Sequence, residues 1–308
     1  MLVVFGSLNM DMVMRVEKMP HPGETVLCPS YQMIAGGKGA NQAVAAAKAG
    51  ASVKLFGKVG DDEFGRLVLD SLKKSTVDLT GVTTCKEAST GCATICVDAQ
   101  GENMIAVASG ANLATREADI PAFLLSKDTT LLLQMETPVE ENWQLIRRAK
   151  KFGARILLNL APAHNVPHPI LQSLDVLIVN QVEATLLALH LGFDVISPTV
   201  AARRIAANFG IMCVVTLGKQ GAIACSSAGT WEVKAMDIDA IDTTAAGDAF
   251  TGVLAASLDA GMDFSLALRR ASTASGLACL NNGAQSSLPS DLQIESNLKR
   301  VPLPRQIA

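Results

Sequence analysis

The sequence predicts an α/β fold: a central, mostly parallel sheet flanked by helices, with a small antiparallel β lid. Three observations carry this. Short apolar runs alternate with amphipathic or Ala-rich helical stretches, the pattern of a parallel sheet covered on both faces. Two further β-branched regions break the alternation and have no crossover helix behind them. Apolar residues make up 49% of the 308, enough to bury a sizeable core.

Strands are predicted over 2–5, 53–56, 130–133, 156–160, 176–179 and 212–217, each a short apolar run. Between them, 40–48 is Ala-rich and ends at Gly50, and 63–74 follows the acidic Asp61-Asp62 start. The stretch 139–152 follows Thr137-Pro138, an N-cap with proline at the first helical position, and closes at Gly153. Helical patterns continue over 181–190 and 199–209. A hairpin over 221–226 and 230–233 then precedes two helices, 245–260 and 264–279. The lid is assigned to about 11–34 and 91–108: extended pieces 11–16 and 25–34 joined through Pro20-His-Pro-Gly23, and 91–97 and 104–108 joined through Asp98-Ala-Gln-Gly101. Such a sheet must cover a ligand, a partner chain, or both. No repeat or long linker interrupts the chain, which reads as one domain with a lid.

Charge and cysteine content narrow the classes. A net charge of −3 with no basic block disfavours nucleic acid and anionic membranes. No apolar run approaches the ~18 residues of a membrane span. The first positive charge is Arg15, so the N-terminus does not read as a signal peptide. Seven cysteines without a C-x-x-C fit reduced thiols in a cytoplasmic protein. Cys92 and Cys96 share one face of a strand, but with no partner motif they read as small buried side chains. His164 and His168 have helical spacing, yet Pro162, Pro167 and Pro169 point to a loop.

The dinucleotide fingerprint, the Walker A pattern and the G-x-S-x-G elbow are all absent. Two other features carry chemistry. Gly36-Gly-Lys-Gly-Ala-Asn41 opens a helix, where glycines let backbone approach a ligand and Lys38 and Asn41 offer donors to hydroxyls. Alone, it reads equally as a turn without a ligand. Asp242-Thr-Thr-Ala-Ala-Gly-Asp248 enters a long helix, and its small residues expose successive N–H groups to a transferring phosphoryl group. Asp248 directly behind them suits a base for an attacking hydroxyl, although it also reads as a helix-start acid that complements the dipole. Asn9, Asp11, Glu136, Asn180 and Glu183 fall at or just after strand ends, where open α/β sheets bind ligands.

The set Gly6-Ser-Leu-Asn9-Met-Asp11, Gly36-Gly-Lys-Gly-Ala-Asn41-Gln, Asn180-Gln-Val-Glu183, Thr216-Leu-Gly-Lys-Gln-Gly221 and Asp242–Asp248 resembles the ribokinase family of carbohydrate kinases. The match runs in order from about residue 2 to Ser287. The resemblance implies ATP-dependent phosphorylation of D-ribose at its 5-hydroxyl. It implies that Asn9, Asp11, Gly37, Lys38, Gly39, Asn41 and Glu136 hold the sugar and that Asp248 is the general base. On the ATP and Mg²⁺ side it implies Asn180, Glu183, Thr216, Leu217, Gly218, Lys219, Gln220, Gly221, Ala246, Gly247 and Ser272. A potassium loop would come from Asp242, Thr244, Ala278, Asn281, Gly283 and Ser287, with Asn281 in place of the basic residue expected there. The resemblance also implies a homodimer whose lids clasp over the two sugars.

Rival readings are a sister kinase acting on fructose, deoxyribose, a nucleoside or a keto-sugar acid, and a non-catalytic sugar- or nucleotide-binding regulator. Arg15 is the one arginine before Arg66, which weakens the sugar-acid reading. A regulator would need neither Asp248 nor the cation loop. A dehydrogenase is disfavoured by the missing fingerprint.

Overall fold

The computed structural model describes residues 1–100, 102–194 and 197–307. β1 (Leu2–Phe5) leads into β2 (Asn9–Arg15), β3 (Tyr31–Gly36), α1 (Lys38–Lys48), β4 (Val53–Gly60), α2 (Glu63–Leu72) and β5 (Asp78–Cys85). β6 (Gly91–Val97) and β7 (Asn103–Ala108) come next, and three 3-10 turns separate them from β8 (Thr130–Leu133). The chain continues through α3 (Val139–Lys151), β9 (Arg155–Asn159), α4 (His168–Leu171), β10 (Val176–Asn180), α5 (Gln181–His190), α6 (Pro198–Phe209) and β11 (Met212–Thr216). It closes with β12 (Ala222–Ser226), β13 (Gly229–Val233), α7 (Ala246–Asp259), α8 (Phe264–Ala278), α9 (Asp291–Asn297) and β14 (Arg305–Gln306).

The main sheet runs β14-β13-β12-β11-β10-β9-β8-β1-β4-β5. Every pair from β11 to β5 is parallel, and β12, β13 and β14 add an antiparallel edge. Side chains alternate between two cores. Leu2 and Val4 of β1 face a cluster with Ala43, Val253 and Leu268. Val3 and Phe5 face the opposite cluster with Trp143, Ile146 and Ile205. In β10, Val176 and Ile178 join the first cluster and Leu177 and Val179 the second. That double burial is why these strands read as continuous apolar runs.

The second sheet runs β3-β2-β6-β7. It is two antiparallel pairs, β2–β3 and β6–β7, joined along a parallel β2–β6 seam. Since β2 leaves the carboxyl end of β1 after three residues, this sheet stands over that end of the main sheet.

Several boundaries differ from the sequence reading. Extended structure predicted from 25 begins at Tyr31, and the Pro- and Gly-bearing residues before it stay outside a ladder. Pro138 occupies the N-cap position of α3 and not the first helical one. A four-residue helix starts at His168, because proline at a helix start costs no hydrogen bond; His164 lies outside it. The sequence pattern assigns no element to β5, α9 or β14. Gly101, which closes the predicted turn at 98–101, lies outside the described residues. All seven cysteines are free thiols. Among the described residues no helix is long and apolar enough to cross a membrane.

Candidate active site

Chain order reverses between β1 and β8: β4 and β5 follow on one side of β1, and β9, β10 and β11 on the other side of β8. A crevice at the carboxyl ends is expected at such a switch point. Gly6 and Gly39 pack backbone to backbone there. A Cβ on Gly39 would lie 2.5 Å from the Gly6 carbonyl carbon and from the Ser7 nitrogen. This presses the start of α1 onto the end of β1, with Ala40 N–H donating to the Ser7 carbonyl at 2.9 Å. Gly37, at φ 89°, makes the turn that side chains resist.

A cavity of about 510 Å³ lies between the two sheets. Its polar wall contains Asn9, Asp11, Gly37, Lys38, Asn41, Glu136 and Asp248. Asn9 Oδ1 accepts from Asn112 Nδ2 at 2.7 Å, which orients its amide hydrogens. Glu136 Oε2 accepts from Ser7 Oγ at 2.6 Å and from the Lys38 backbone N–H at 3.1 Å. The Lys38 ammonium stands 3.9 Å from the other Glu136 oxygen. Asn41 Nδ2 donates to Asp248 Oδ2 at 3.0 Å, while Asn41 Oδ1 is buried without a partner. Gly39, predicted as a sugar contact, turns into the α1–β1 packing and does not line the cavity.

Charge is concentrated here. Burial, then Glu136 and Asp248, push the Asp11 carboxyl up to about 7, against the pull of Lys38. Burial disfavours the Lys38 ammonium, but Asp248, Glu136, Glu183 and Asp11 outweigh it and raise its pKa, so it stays charged. Burial also raises Asp248, opposed by Lys38, Asn41 and Gln42. A carboxylate held in this way accepts a proton more readily than an exposed one.

Asp248 sits in a chain of amides that the sequence reading missed. Gln42 Nε2 donates to Asp248 Oδ1 and to Asn159 Oδ1, both at 2.9 Å, and Gln134 Nε2 donates to Gln42 Oε1 at 2.7 Å. Asn159 carried a signal: it is the polar last residue of β9, the same cue that picked out Asn180 at the end of β10.

α7 starts at Ala246 without a side-chain cap. Ala245, at φ 58°, is the one non-glycine residue with positive φ among those described. That costs of order 1 kcal/mol and aims the following amides into open space; a Cβ on Gly247 would meet nothing within 4 Å. Three cavities converge on this turn. The 510 Å³ cavity reaches Ala245 and Asp248. A second, also about 510 Å³, runs from Ala246 and Gly247 past Thr216, Gly218, Lys219, Gly221 and Ser272 into an apolar slot with Met236, Ile238 and Phe250. A third, of about 180 Å³, links them and is lined by Lys38, Asn180, Glu183, Thr216, Gly247 and Asp248. Ser272 Oγ already donates to the Lys234 carbonyl at 2.7 Å. Leu217 and Gln220 line a separate cavity of about 600 Å³ on the far side of Lys219.

Glu183 and Asn180 cap α5 reciprocally: Asn180 N–H donates to Glu183 Oε2 at 2.8 Å and Glu183 N–H to Asn180 Oδ1 at 2.9 Å. Burial raises the Glu183 pKa, with the Asn180 N–H and Lys38 opposing. Among the described residues no cluster of three His, Cys, Asp or Glu forms a ready metal cage. A magnesium ion arriving on nucleotide phosphates, and keeping most of its waters, needs no such cage.

Asp242 bridges two loops, accepting from Thr244 N–H and Gly283 N–H, both at 2.9 Å. Burial would raise its pKa, but these amides and Arg15 hold it below the usual range, so it is anionic. Its loop is tied to the end of α8, where the Cys279 carbonyl accepts from Ile241 N–H at 2.8 Å. An anionic carboxylate is the hard oxygen ligand that this loop junction would offer a cation. Ala278, Asn281 and Ser287 line none of the three converging cavities, and Ser287 Oγ donates to the Ala284 carbonyl at 2.8 Å.

The pfkB family carbohydrate kinase model matches residues 1–291. A ribokinase from Haemophilus influenzae is 35% identical over 296 residues, covering 94% of this chain and 95% of its own. A deoxyribokinase from Salmonella typhi is 33% identical over 301 residues, covering 96% and 98%. The structure of Arabidopsis thaliana ribokinase complexed with ribose and ATP superimposes with a TM-score of 0.86 at 29% identity, covering 97% of this chain and 98% of that one.

Proposed function

Because the chain belongs to the pfkB family of carbohydrate kinases and is an ATP-dependent sugar kinase, we propose that it phosphorylates D-ribose at the 5-hydroxyl. The observation that carries this reading is the meeting of a hydroxyl-binding cavity and a nucleotide-sized cleft at the amides of Ala246 and Gly247, with buried Asp248 beside them.

An uncharged sugar rich in hydroxyls needs directional donors and acceptors. Asn9, Asp11, Lys38, Asn41 and Glu136 supply both, and the unpartnered Asn41 Oδ1 accepts a hydroxyl proton. Asp248 takes the proton of the attacking 5-hydroxyl. Asn41 and Gln42 keep its two oxygens in place for that transfer. The amides at 246–247 and the start of α7 receive the charge that spreads over the transferring phosphoryl group, and Lys38 adds a fixed positive charge nearby. The base of ATP takes the apolar slot at Met236, Ile238 and Phe250. Magnesium, held through Asn180, Glu183 and Thr216, would neutralise phosphate charge. Potassium, held by Asp242 and Ser287 with carbonyls of Thr244, Ala278, Asn281 and Gly283, would brace the loop that shapes the turn.

The small sheet acts as a lid on a single kinase domain, and a second copy clasps it. Ile105 and Val107 face the cavity yet are 52% and 50% exposed, an apolar edge that pairing with a second lid would cover. Light scattering should give a mass near twice 32.2 kDa, and a monomer across micromolar concentrations would refute the clasp.

The Salmonella relative supports a second reading, deoxyribose, which lacks one hydroxyl. A coupled ADP-release assay across pentoses, hexoses and nucleosides separates the two. Ribose should give the highest kcat/KM. A preference for deoxyribose reassigns the substrate, and silence across the panel overturns the kinase reading.

A further inference from the structure

The small sheet has two faces with different chemistry. Asp11, Val13, Arg15, Ile34, Ile95, Val97, Ile105 and Val107 line the sugar cavity on one. Side chains alternate along a strand, so the intervening residues form the other face. There the ladder register gathers sulfur. Met14 pairs with Cys96 across the β2–β6 seam, and Cys96 pairs with Met104 across β6–β7. Met12 pairs with Met33 in the adjacent row. Tyr31, Thr94 and Ala106 occupy the neighbouring positions and bring no carboxylate or imidazole.

We propose that this outward face binds one soft monovalent cation, of the copper(I) class, through the sulfurs of Met14, Cys96 and Met104. In the antiparallel β6–β7 pair directly opposed Cβ atoms lie about 4.5–5.5 Å apart, and the parallel β2–β6 seam has a strand spacing of about 4.8 Å. Unbranched thioether arms on both sides of a cysteine then reach one ion at sulfur–metal distances of about 2.3 Å. A thiolate with two thioethers, beside only the neutral hydroxyls of Tyr31 and Thr94 on the same sheet face, selects copper(I) over calcium, magnesium or manganese. Met12 and Met33 shield the site from the side. Cys92, the other cysteine of the strand, pairs instead with Met10, which is buried. It lies two same-face rows away from Met104, beyond the Thr94–Ala106 pair. The sequence placed Cys92 and Cys96 on one face and lacked a partner for them. The partners are methionines from the neighbouring strands, which sequence spacing does not bring together.

On binding, the Cys96 S–H bond breaks, a sulfur–metal bond forms and one proton passes to solvent, with no change of oxidation state. The test is anaerobic titration of the reduced full-length protein with copper(I) in competition with bicinchoninate, following pH in weak buffer. One ion should bind per chain with release of about one proton. Cys96→Ser should remove binding. Met14→Leu combined with Met104→Leu, which conserve volume, should weaken it by ~10-fold or more. Cys28→Ser and Cys92→Ser should leave it unchanged, and all these variants should keep metal-free kinase turnover. Failure to take copper from the competitor, binding that survives Cys96→Ser, or a methionine double variant that binds like the parent would each overturn the site.

Discussion

Replacing Asp11 with asparagine should stabilise the ligand-free chain, and more at pH 8 than at pH 5. Burial and the neighbouring Glu136 and Asp248 carry the Asp11 carboxyl from 3.8 to about 7. Between those values the folded chain holds a proton that the unfolded chain has released. Stability therefore falls as pH rises from about 4 to about 7 and levels off above it. At ~1.4 kcal/mol per pH unit, a window of about three units bounds the loss near 4 kcal/mol, and the residual exposure of the group brings it to about 2. About a third of the window has been crossed at pH 5 and all of it at pH 8. Asparagine keeps the shape and removes the charge. Denaturant unfolding of both proteins at constant ionic strength should show the variant's advantage growing by ~1 kcal/mol or more from pH 5 to pH 8. Sugar KM should rise in the same variant, because the carboxylate that costs stability is the one offered to hydroxyls. An advantage equal at both pH values, or shrinking at pH 8, would refute the reasoning.

Gly39→Ala should destabilise the fold by ~1–3 kcal/mol, seen as a lower midpoint in denaturant, since its Cβ would meet only the Gly6–Ser7 backbone, which cannot rotate away. Gln42→Leu removes a donor that holds Asp248 down, so the acid limb of the kcat profile should move to higher pH; an unmoved limb argues against that role. Replacing tetramethylammonium with potassium at fixed ionic strength should raise the initial rate with ATP and Mg²⁺ saturating, and unchanged rates would leave the 242–287 loops a structural brace.

The strands of the main sheet were legible because burial on both faces leaves uninterrupted apolar runs such as Leu131–Leu133 in β8. β5 escaped notice because it is an edge strand: Asp78, Thr80, Thr83 and Thr84 are exposed and Gly81 interrupts it. α9 did carry a signal, a capping box of Ser290 and Gln293, but it is only seven residues long. In the site, glycine-rich turns and strand-end acids were readable because they sit in local patterns. Gln42, Gln134 and Asn112 act through partners 92–206 residues away, a relation that no local spacing encodes. Gly39 has a distant neighbour of the same kind: its motif suggests a ligand contact, and the structure packs it against the turn at Gly6.

The central claim is that Asp248 deprotonates the 5-hydroxyl of ribose as phosphate is transferred. The most direct measurement is quantification of phosphorylated product by phosphorus NMR, with ATP and ribose, for the parent chain and for Asp248→Asn. The substitution also points an amide hydrogen at Asn41 or Gln42, so its thermal stability should be recorded alongside. The account predicts ribose 5-phosphate from the parent and at least ~10²-fold less from a folded Asp248→Asn protein, with ribose binding retained in part. Product formed at near-parental rates by the variant, or phosphate on another hydroxyl, would contradict it.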